Sequence, residues 1–128
     1  MTGPFIFIGT HRLKEGKLSD FEAAWRDLVA VVEASEPQMI AFNAYASEDG
    51  TEVAVVQLHP DAASMELHMQ VVREHITQAY EELLEETTSI QINGELSDAA
   101  RGMIEHLAGS GVTLSVKPNA LGGFMRAS

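Results

Sequence analysis

The chain has 128 residues, of which 45% are hydrophobic and 21% are charged, a composition typical of one globular domain with a buried core. Eight basic residues against nineteen acidic ones give a formal charge of −11, which disfavours binding to nucleic acid or to anionic membrane surfaces. No apolar run approaches the roughly 20 residues that cross a bilayer. The absence of cysteine excludes disulfides and thiolate chemistry. We expect a single domain over residues 1–128 and, since no export signal is recognisable, a cytoplasmic location.

The first two predicted elements are a strand and an amphipathic helix. Residues 5–13 are rich in β-branched and aromatic side chains and end at a Lys-Glu-Gly-Lys turn. Ser19 or Asp20 is expected to cap the helix that follows, and Pro37 to mark its end. Apolar residues at three- and four-residue spacings predict one buried stripe along this helix: Phe21, Trp25, Leu28 and Val32.

Residues 39–59 are predicted to form a β-hairpin. Asp49-Gly50 supplies the turn chemistry, within a loop of about five residues, and this loop pairs Ala46 with Glu52. In that register one face is apolar, and the other carries Asn43 and Gln57 among apolar residues, without the Lys, Glu and Thr of a solvated sheet. Both faces are therefore expected to be covered. The second face comprises Met39, Ala41, Asn43, Val53, Val55, Gln57 and His59.

A second helix is expected to follow directly after the hairpin. Pro60 suits its first turn and Asp61 suits the positive end of its dipole, and an apolar stripe that includes Met65 extends the helix to Glu86. The acidic run over residues 81–86 is interpreted as a solvated helix face. A further strand carrying Ile90 and Ile92, a helix from Ser97-Asp98 and a last strand over residues 112–117 complete the chain.

The predicted order is β-α-β-β-α-β followed by α-β. The first six elements match the ferredoxin-like α+β fold, in which both helices cover one face of an antiparallel sheet. We expect this core to span residues 4–94 and a C-terminal extension to span 95–128. Since the second face of the sheet is bare in a monomer, its simplest cover is a second copy related by a two-fold axis, which makes the chain a homodimer.

Three features of the chain are informative together: the element order, the strand–helix joint VAVVQLHPDAASMELHM with its helical His68, and the hairpin segment NAYASEDGTEV that precedes the joint. In these features the chain resembles the dimeric α/β-barrel superfamily. The resemblance is to antibiotic biosynthesis monooxygenase-like domains in particular, over residues 4–94. Several members of that family oxidise quinol-like or polycyclic aromatic substrates without metal or cofactor, so none is expected here. The haem-degrading branch carries an Asn on the first strand and a Trp on the second helix. Here the first strand has no Asn and Trp25 lies on the first helix, so haem degradation is disfavoured.

The residues proposed for a site are drawn from polar groups near the joint and from apolar residues facing the expected cleft. His68, His59 and Asn43 are the candidates for proton transfer and hydrogen bonding, although residues in such positions more often have structural roles. Metal binding is not expected, because His68 and His75 lie about 10 Å apart along a helix, and a site would require His59 or His11 across elements. The candidates for contact with a substrate are Trp25, Tyr45, His11, Phe42 and Met65.

Three functions remain open at this level, and the sequence does not separate a lyase or isomerase on the same scaffold from the other two. One is a cofactor-independent monooxygenase acting on a small aromatic or quinol-type substrate, which needs an apolar cavity and one base. The other is a non-catalytic homodimer that binds a small hydrophobic molecule or a protein partner. The absence of a nucleophile elbow or a dinucleotide fingerprint gives no support to hydrolase or nicotinamide chemistry.

Overall fold

The structure, a computed structural model, describes residues 4–108 and 111–126, without the side chains of 74–80 and 107–108. It confirms the predicted order of elements, which are β1 (Phe5–Leu13), α1 (Leu18–Ser35), β2 (Ala41–Ala46), β3 (Glu52–His59), α2 (Ala62–Glu82), β4 (Leu84–Asn93), α3 (Asp98–Ala108) and β5 (Thr113–Lys117).

The five strands form one sheet in the order β2-β3-β1-β4-β5. The first four are antiparallel neighbours, and β5 lies parallel to β4 at the edge, with α3 as the crossover that a parallel pair requires. This is the ferredoxin-like α+β arrangement extended by one strand, so the predicted fold class is confirmed.

The core lies between the helices and one face of the sheet. Alternate residues of β1 are buried from Phe5 to Leu13, as expected for a strand covered on one side. Met65 and Met69 of α2 pack on Phe5 and Phe7, and Phe21 of α1 packs near Leu13 at the other end.

The hairpin register differs from the predicted one by a single residue. Ala46 pairs with Val53 rather than with Glu52. The reason is that Glu52 is already opposite Ser47, whose amide donates to the carbonyl of Glu52 at 2.9 Å. Between the two strands lie five residues, 47–51, as predicted, and the Ser47–Glu52 hydrogen bond leaves the four residues 48–51 to form the turn. The Asp49 carboxylate closes it by accepting hydrogen bonds from Ser47 and Thr51.

This shift moves alternate side chains to the other face of the hairpin, as a one-residue slip must. The prediction placed Asn43 on one face with four residues of β3, which is wrong. Asn43 is exposed on one side of the sheet, and the four β3 residues are buried beneath the helices on the other side: Val53, Val55, Gln57 and His59. The opposite face, which we call the open face, is apolar at its centre. Its central residues are Ile6, Ile8, Ala54, Val56 and Leu58, all half-buried.

The helix boundaries correct two smaller predictions. α1 begins at Leu18 after Lys17, which makes no side-chain cap, so neither Ser19 nor Asp20 is the cap. Pro60 precedes α2 rather than occupying its first turn. The cap of α2 is Asp61, whose carboxylate accepts from the amide of Ser64 at 3.0 Å.

The acidic run over residues 81–86 is divided between two elements and is not one helix face. α2 ends at Glu82, and Leu84 already belongs to β4. Because Leu83 and Leu84 are both buried, the chain reverses here with two apolar side chains in the core, which stops the helix one turn before the predicted end.

Candidate functional site

The joint between β3 and α2 holds a buried histidine between two polar side chains. His59 ends β3 on the same face as Gln57, since the two are separated by one residue. Its Nε2 donates to the Gln57 amide oxygen at 3.1 Å, and its Nδ1 accepts from the Ser64 hydroxyl at 2.6 Å. Ser64 also receives a hydrogen bond from the Gln38 amide at 3.2 Å. Every polar atom of the His59 ring is thus satisfied.

A carboxylate–imidazole pair lies one helical turn further along α2. His68 follows Ser64 by four residues and so shares its helix face. Its Nδ1 lies 2.9 Å and 3.1 Å from the two carboxylate oxygens of Glu36, the residue that ends α1. The Glu36 and His68 side chains are 0% and 1% exposed, so the pair is shielded from water.

Ring contacts connect these histidines to α1. The rings of His59 and His68 lie 5.7 Å apart, His68 meets Phe42 edge-on at 5.1 Å, and Phe42 lies 4.4 Å from Trp25. The Phe42 ring therefore separates the buried pair from the α1–β2 edge of the molecule. Edge-to-face contacts of this kind stabilise a fixed ring orientation.

Burial controls the charge of the site. The pKa of His59 is lowered from 6.5 to about 4, mainly by burial and to a smaller extent by the electrostatic effect of the His68 ring, while Asp61 opposes both. Burial alone also lowers the pKa of His11 to about 4. Both rings are consequently neutral at pH 7.

Two open grooves lie between α1 and the edge strand β2. The first, which we call the Glu36 groove, has a volume of about 240 Å³. The second, the Trp25 groove, has a volume of about 320 Å³ and includes Tyr45 at its rim. The Glu36 groove is lined by Val29, Val32, Glu33, Glu36, Pro37, Met39, Ile40, Ala41 and Phe42.

The structure brings four of the predicted site residues together and separates the others. His59, His68, Phe42 and Trp25 are in sequential ring contact.

The remaining candidates lie elsewhere. Asn43 and Tyr45 project to the open face, and Met65 is fully buried in the core. His11 pairs across strands with Val53, six residues and so about 20 Å from His59, where it contacts the Thr87 hydroxyl at 2.9 Å.

Sequence reasoning did not identify Glu36 or Ser64. The spacing of Ser64 to His68 is a usable signal, because residues four apart share a helix face. For Glu36 there is no local signal: an acidic residue before a proline at a helix end is ordinarily solvated.

Within the parts of the chain that the structure describes, no three His, Asp or Glu side chains converge in a way that could hold a metal ion. Among those same residues, no helix is both long and apolar enough to cross a membrane.

Comparison with solved structures finds the same fold in several proteins. MupZ from Pseudomonas fluorescens matches with a TM-score of 0.70 at 14% identity, over 96% of this chain and 91% of that chain. The Caulobacter crescentus protein named "putative antibiotic biosynthesis monooxygenase" matches with a TM-score of 0.63 at 18% identity, over 71% and 88%. PA3566 from Pseudomonas aeruginosa matches with a TM-score of 0.61 at 23% identity, over 76% and 98%. No family model and no curated protein matches the sequence.

These similarities establish the fold of the chain as that of antibiotic biosynthesis monooxygenase-like domains, as the strand–helix joint predicted. The match to MupZ covers 96% of this chain, so it extends beyond the core over residues 4–94 and includes most of the C-terminal extension.

Proposed function

We propose that the protein is a homodimeric, cofactor-independent monooxygenase acting on a small electron-rich aromatic substrate, with His68 as the base. The observation that carries the proposal is the buried Glu36–His68 pair. A carboxylate that accepts from Nδ1 fixes the tautomer, leaves Nε2 as the basic atom, and stabilises the imidazolium formed when a proton is taken up. Carboxylate–imidazole pairs of this kind are costly to bury, and they are concentrated at functional sites.

The Glu36 groove is the proposed position of the substrate. Its volume of about 240 Å³ suits a small aromatic molecule, and its walls combine apolar side chains with Glu33 and Glu36. Phe42 belongs both to this groove and to the edge contact with His68. A substrate ring that stacks on Phe42 and displaces it from His68 comes within reach of the imidazole.

The proposed reaction needs little from the protein beyond a base and a dry cavity. His68 removes a phenolic proton, and the electron-rich anion then reduces dioxygen. One oxygen atom forms a carbonyl on a ring CH₂ carbon and the other leaves as water, with the substrate supplying both electrons and both hydrogens. Exclusion of bulk water protects the anion and the reduced oxygen species.

The proposed dimer is formed through the open face. Ile6 and Ile8 of β1 pair with Leu58 and Val56 of β3, which forms a continuous apolar patch at the centre of the sheet. A patch of this kind is typical of an association surface, and a two-fold axis would place two copies of it together.

Oxygen consumption tests the proposed activity. The wild-type chain is expected to consume oxygen with members of a panel of quinols and anthrones, and His68→Ala to reduce the rate by about 10²-fold or more. His106→Ala is the matched control, since His106 is an exposed histidine on α3. No turnover across the panel, or equal rates in the two variants, contradicts the proposal.

A second candidate function is a homodimer that binds a small hydrophobic ligand without chemistry. It is favoured by one observation: Phe42, His59 and Glu36 fill the space around His68, which is 1% exposed. Trp25, the single tryptophan, stacks near Phe42 and reports ligand binding by its fluorescence. Binding that His68→Ala leaves unchanged, without oxygen consumption, would identify this function instead.

A further inference from the structure

The last described segment of the chain exposes two large apolar side chains to solvent. We call residues 118–126, which follow β5 and form neither helix nor strand, the arm. Leu121 is 98% exposed and Phe124 is 81% exposed, and the Arg126 guanidinium covers one face of the Phe124 ring at 4.9 Å. Two large apolar side chains so close in sequence and fully in water indicate a segment that binds a surface.

The charge of the arm is opposite to that of the rest of the chain. The arm contains Arg126 and no acidic residue, and Lys117 of β5 directly precedes it, although the whole chain carries −11. The Glu36 groove is lined by apolar residues and by Glu33 and Glu36, without a basic residue. An apolar, cationic segment and an apolar, acidic groove are complementary.

We propose that the arm of one subunit covers the mouth of the Glu36 groove of the second copy. Phe124 and Leu121 then provide the missing outer wall of the groove, and Arg126 faces Glu33. The proposal rests on the homodimer of the proposed function and makes each candidate site incomplete without the partner chain.

The topology is consistent with this exchange. β5 and β2 are the two edges of the sheet. If two sheets meet through their open faces about a two-fold axis parallel to the strands, each β5 edge lies over the partner's β2 edge.

The same axis brings the start of the arm to the correct end of the groove. The carbonyl of Lys117 accepts from the amide of Gly94, and the amide of Ile40 donates to Leu58. Asn93 and Leu58 both pair with Ile6. Lys117, after which the arm starts, and Ile40, which lines the groove, therefore lie at the same end of the sheet. A nine-residue arm spans up to about 30 Å, and stacked sheets are about 10 Å apart, so the arm can pass around the β2 edge.

The chain's own arm is a poorer occupant of its groove. Sheet order separates β5 from β2 by three intervening strands, which is about 19 Å. The direct route between them crosses the open face, which the partner covers in the dimer. Exchange between subunits avoids that obstruction.

Engineered disulfides test the arm contact directly, because the chain contains no cysteine. The test variant carries Ile40→Cys and Phe124→Cys together. Its matched control carries Leu67→Cys with Phe124→Cys, since Leu67 on α2 is 40% exposed and Ile40 is 43% exposed. The single variant Phe124→Cys measures arm-to-arm bonding, and Met39→Cys replaces Ile40→Cys if that change disturbs folding. Non-reducing electrophoresis and light scattering are the measurements.

The expected result is that oxidation converts most of the test variant to a covalent dimer and leaves the Leu67 control largely monomeric on the gel. A disulfide closed within one chain overturns the proposal, because it places the arm in its own groove. If light scattering shows a dimer but the two double-cysteine variants form disulfides equally, the arm contact is overturned and the proposed dimer is not. A monomer in solution overturns both.

Discussion

Glu36 and His68 are 32 positions apart in the chain and meet at 2.9 Å in a contact that is closed to water. The contact joins the end of α1 to the second turn of α2, so it also holds the two helices together. It provides a buried carboxylate–imidazole pair beside the Glu36 groove, which is the arrangement that general-base chemistry requires.

Breaking this pair is expected to be strongly destabilising. Glu36→Ala removes the carboxylate and leaves the His68 ring buried without its partner, which should lower the free energy of unfolding by about 3–5 kcal/mol. Urea denaturation measures the change. Glu33→Ala, an exposed glutamate on the same helix, is the control and should change it by less than about 0.5 kcal/mol. Equal effects in the two variants would show that the pair contributes nothing to stability.

The stability of the fold should decrease in mild acid because of the buried histidines. The pKa of His59 falls from 6.5 in the unfolded chain to about 4 in the folded chain, so between these values the unfolded state binds the proton and the folded state does not. The histidine contribution is therefore complete above pH 6.5 and is lost as the pH falls towards 4, at about 1.4 kcal/mol per pH unit for this histidine.

Comparison of variants isolates the contribution of His59 to this pH dependence. His59→Gln should reduce the slope of unfolding free energy against pH by about 1.4 kcal/mol per unit between pH 6.5 and 4, while His106→Gln at an exposed position should leave it unchanged. An unaltered slope in His59→Gln contradicts the lowered pKa.

Gly94 is expected to tolerate no side chain. Its φ is 133°, and a Cβ at this position would lie 2.9 Å from the carbonyl oxygen of Pro4. Gly94→Ala should therefore destabilise the fold by about 1–3 kcal/mol. Gly102→Ala is the opposite case, since this helical glycine has open space at the Cβ position, and alanine should stabilise α3 by about 0.5–1 kcal/mol. Thermal denaturation of both variants compares them, and a change of the same sign in both would contradict the argument.

The proposed dimer depends on the apolar centre of the open face. Val56→Lys places a charge on a half-buried position of that face and should weaken association by about 2 kcal/mol or more, which is about 30-fold in the dissociation constant. Sedimentation at several concentrations measures it. Glu105→Lys, at an exposed position of α3 on the helix side of the sheet, should have a much smaller effect. A chain that is monomeric before any substitution excludes the dimer.

The hairpin shows how far the sequence can be interpreted. The turn at Asp49-Gly50 and both strands were predictable, because turn chemistry and alternation of apolar residues are local properties. The register was not, since it depends on whether Ser47 pairs with Glu52. That single hydrogen bond decides whether Gln57 and His59 face the helices or a partner.

The candidate site was predictable only in part. His59 and His68 stand out because histidines at a strand end and on an apolar helix are unusual in a core. Glu36 had no such signal, and neither Ser64 nor Gln38 was identified as part of the hydrogen-bonded group around His59.

The sequence by itself determined the order of helices and strands and the fold class, because the spacing of apolar residues records which face of each element is buried. Only the tertiary structure decided which polar residues meet. Glu36 reaches His68, and Phe42 lies between them and the groove, because α1, α2 and β2 come together at one place. A contact of that kind depends on how three separate elements pack, and no local pattern in the chain encodes it.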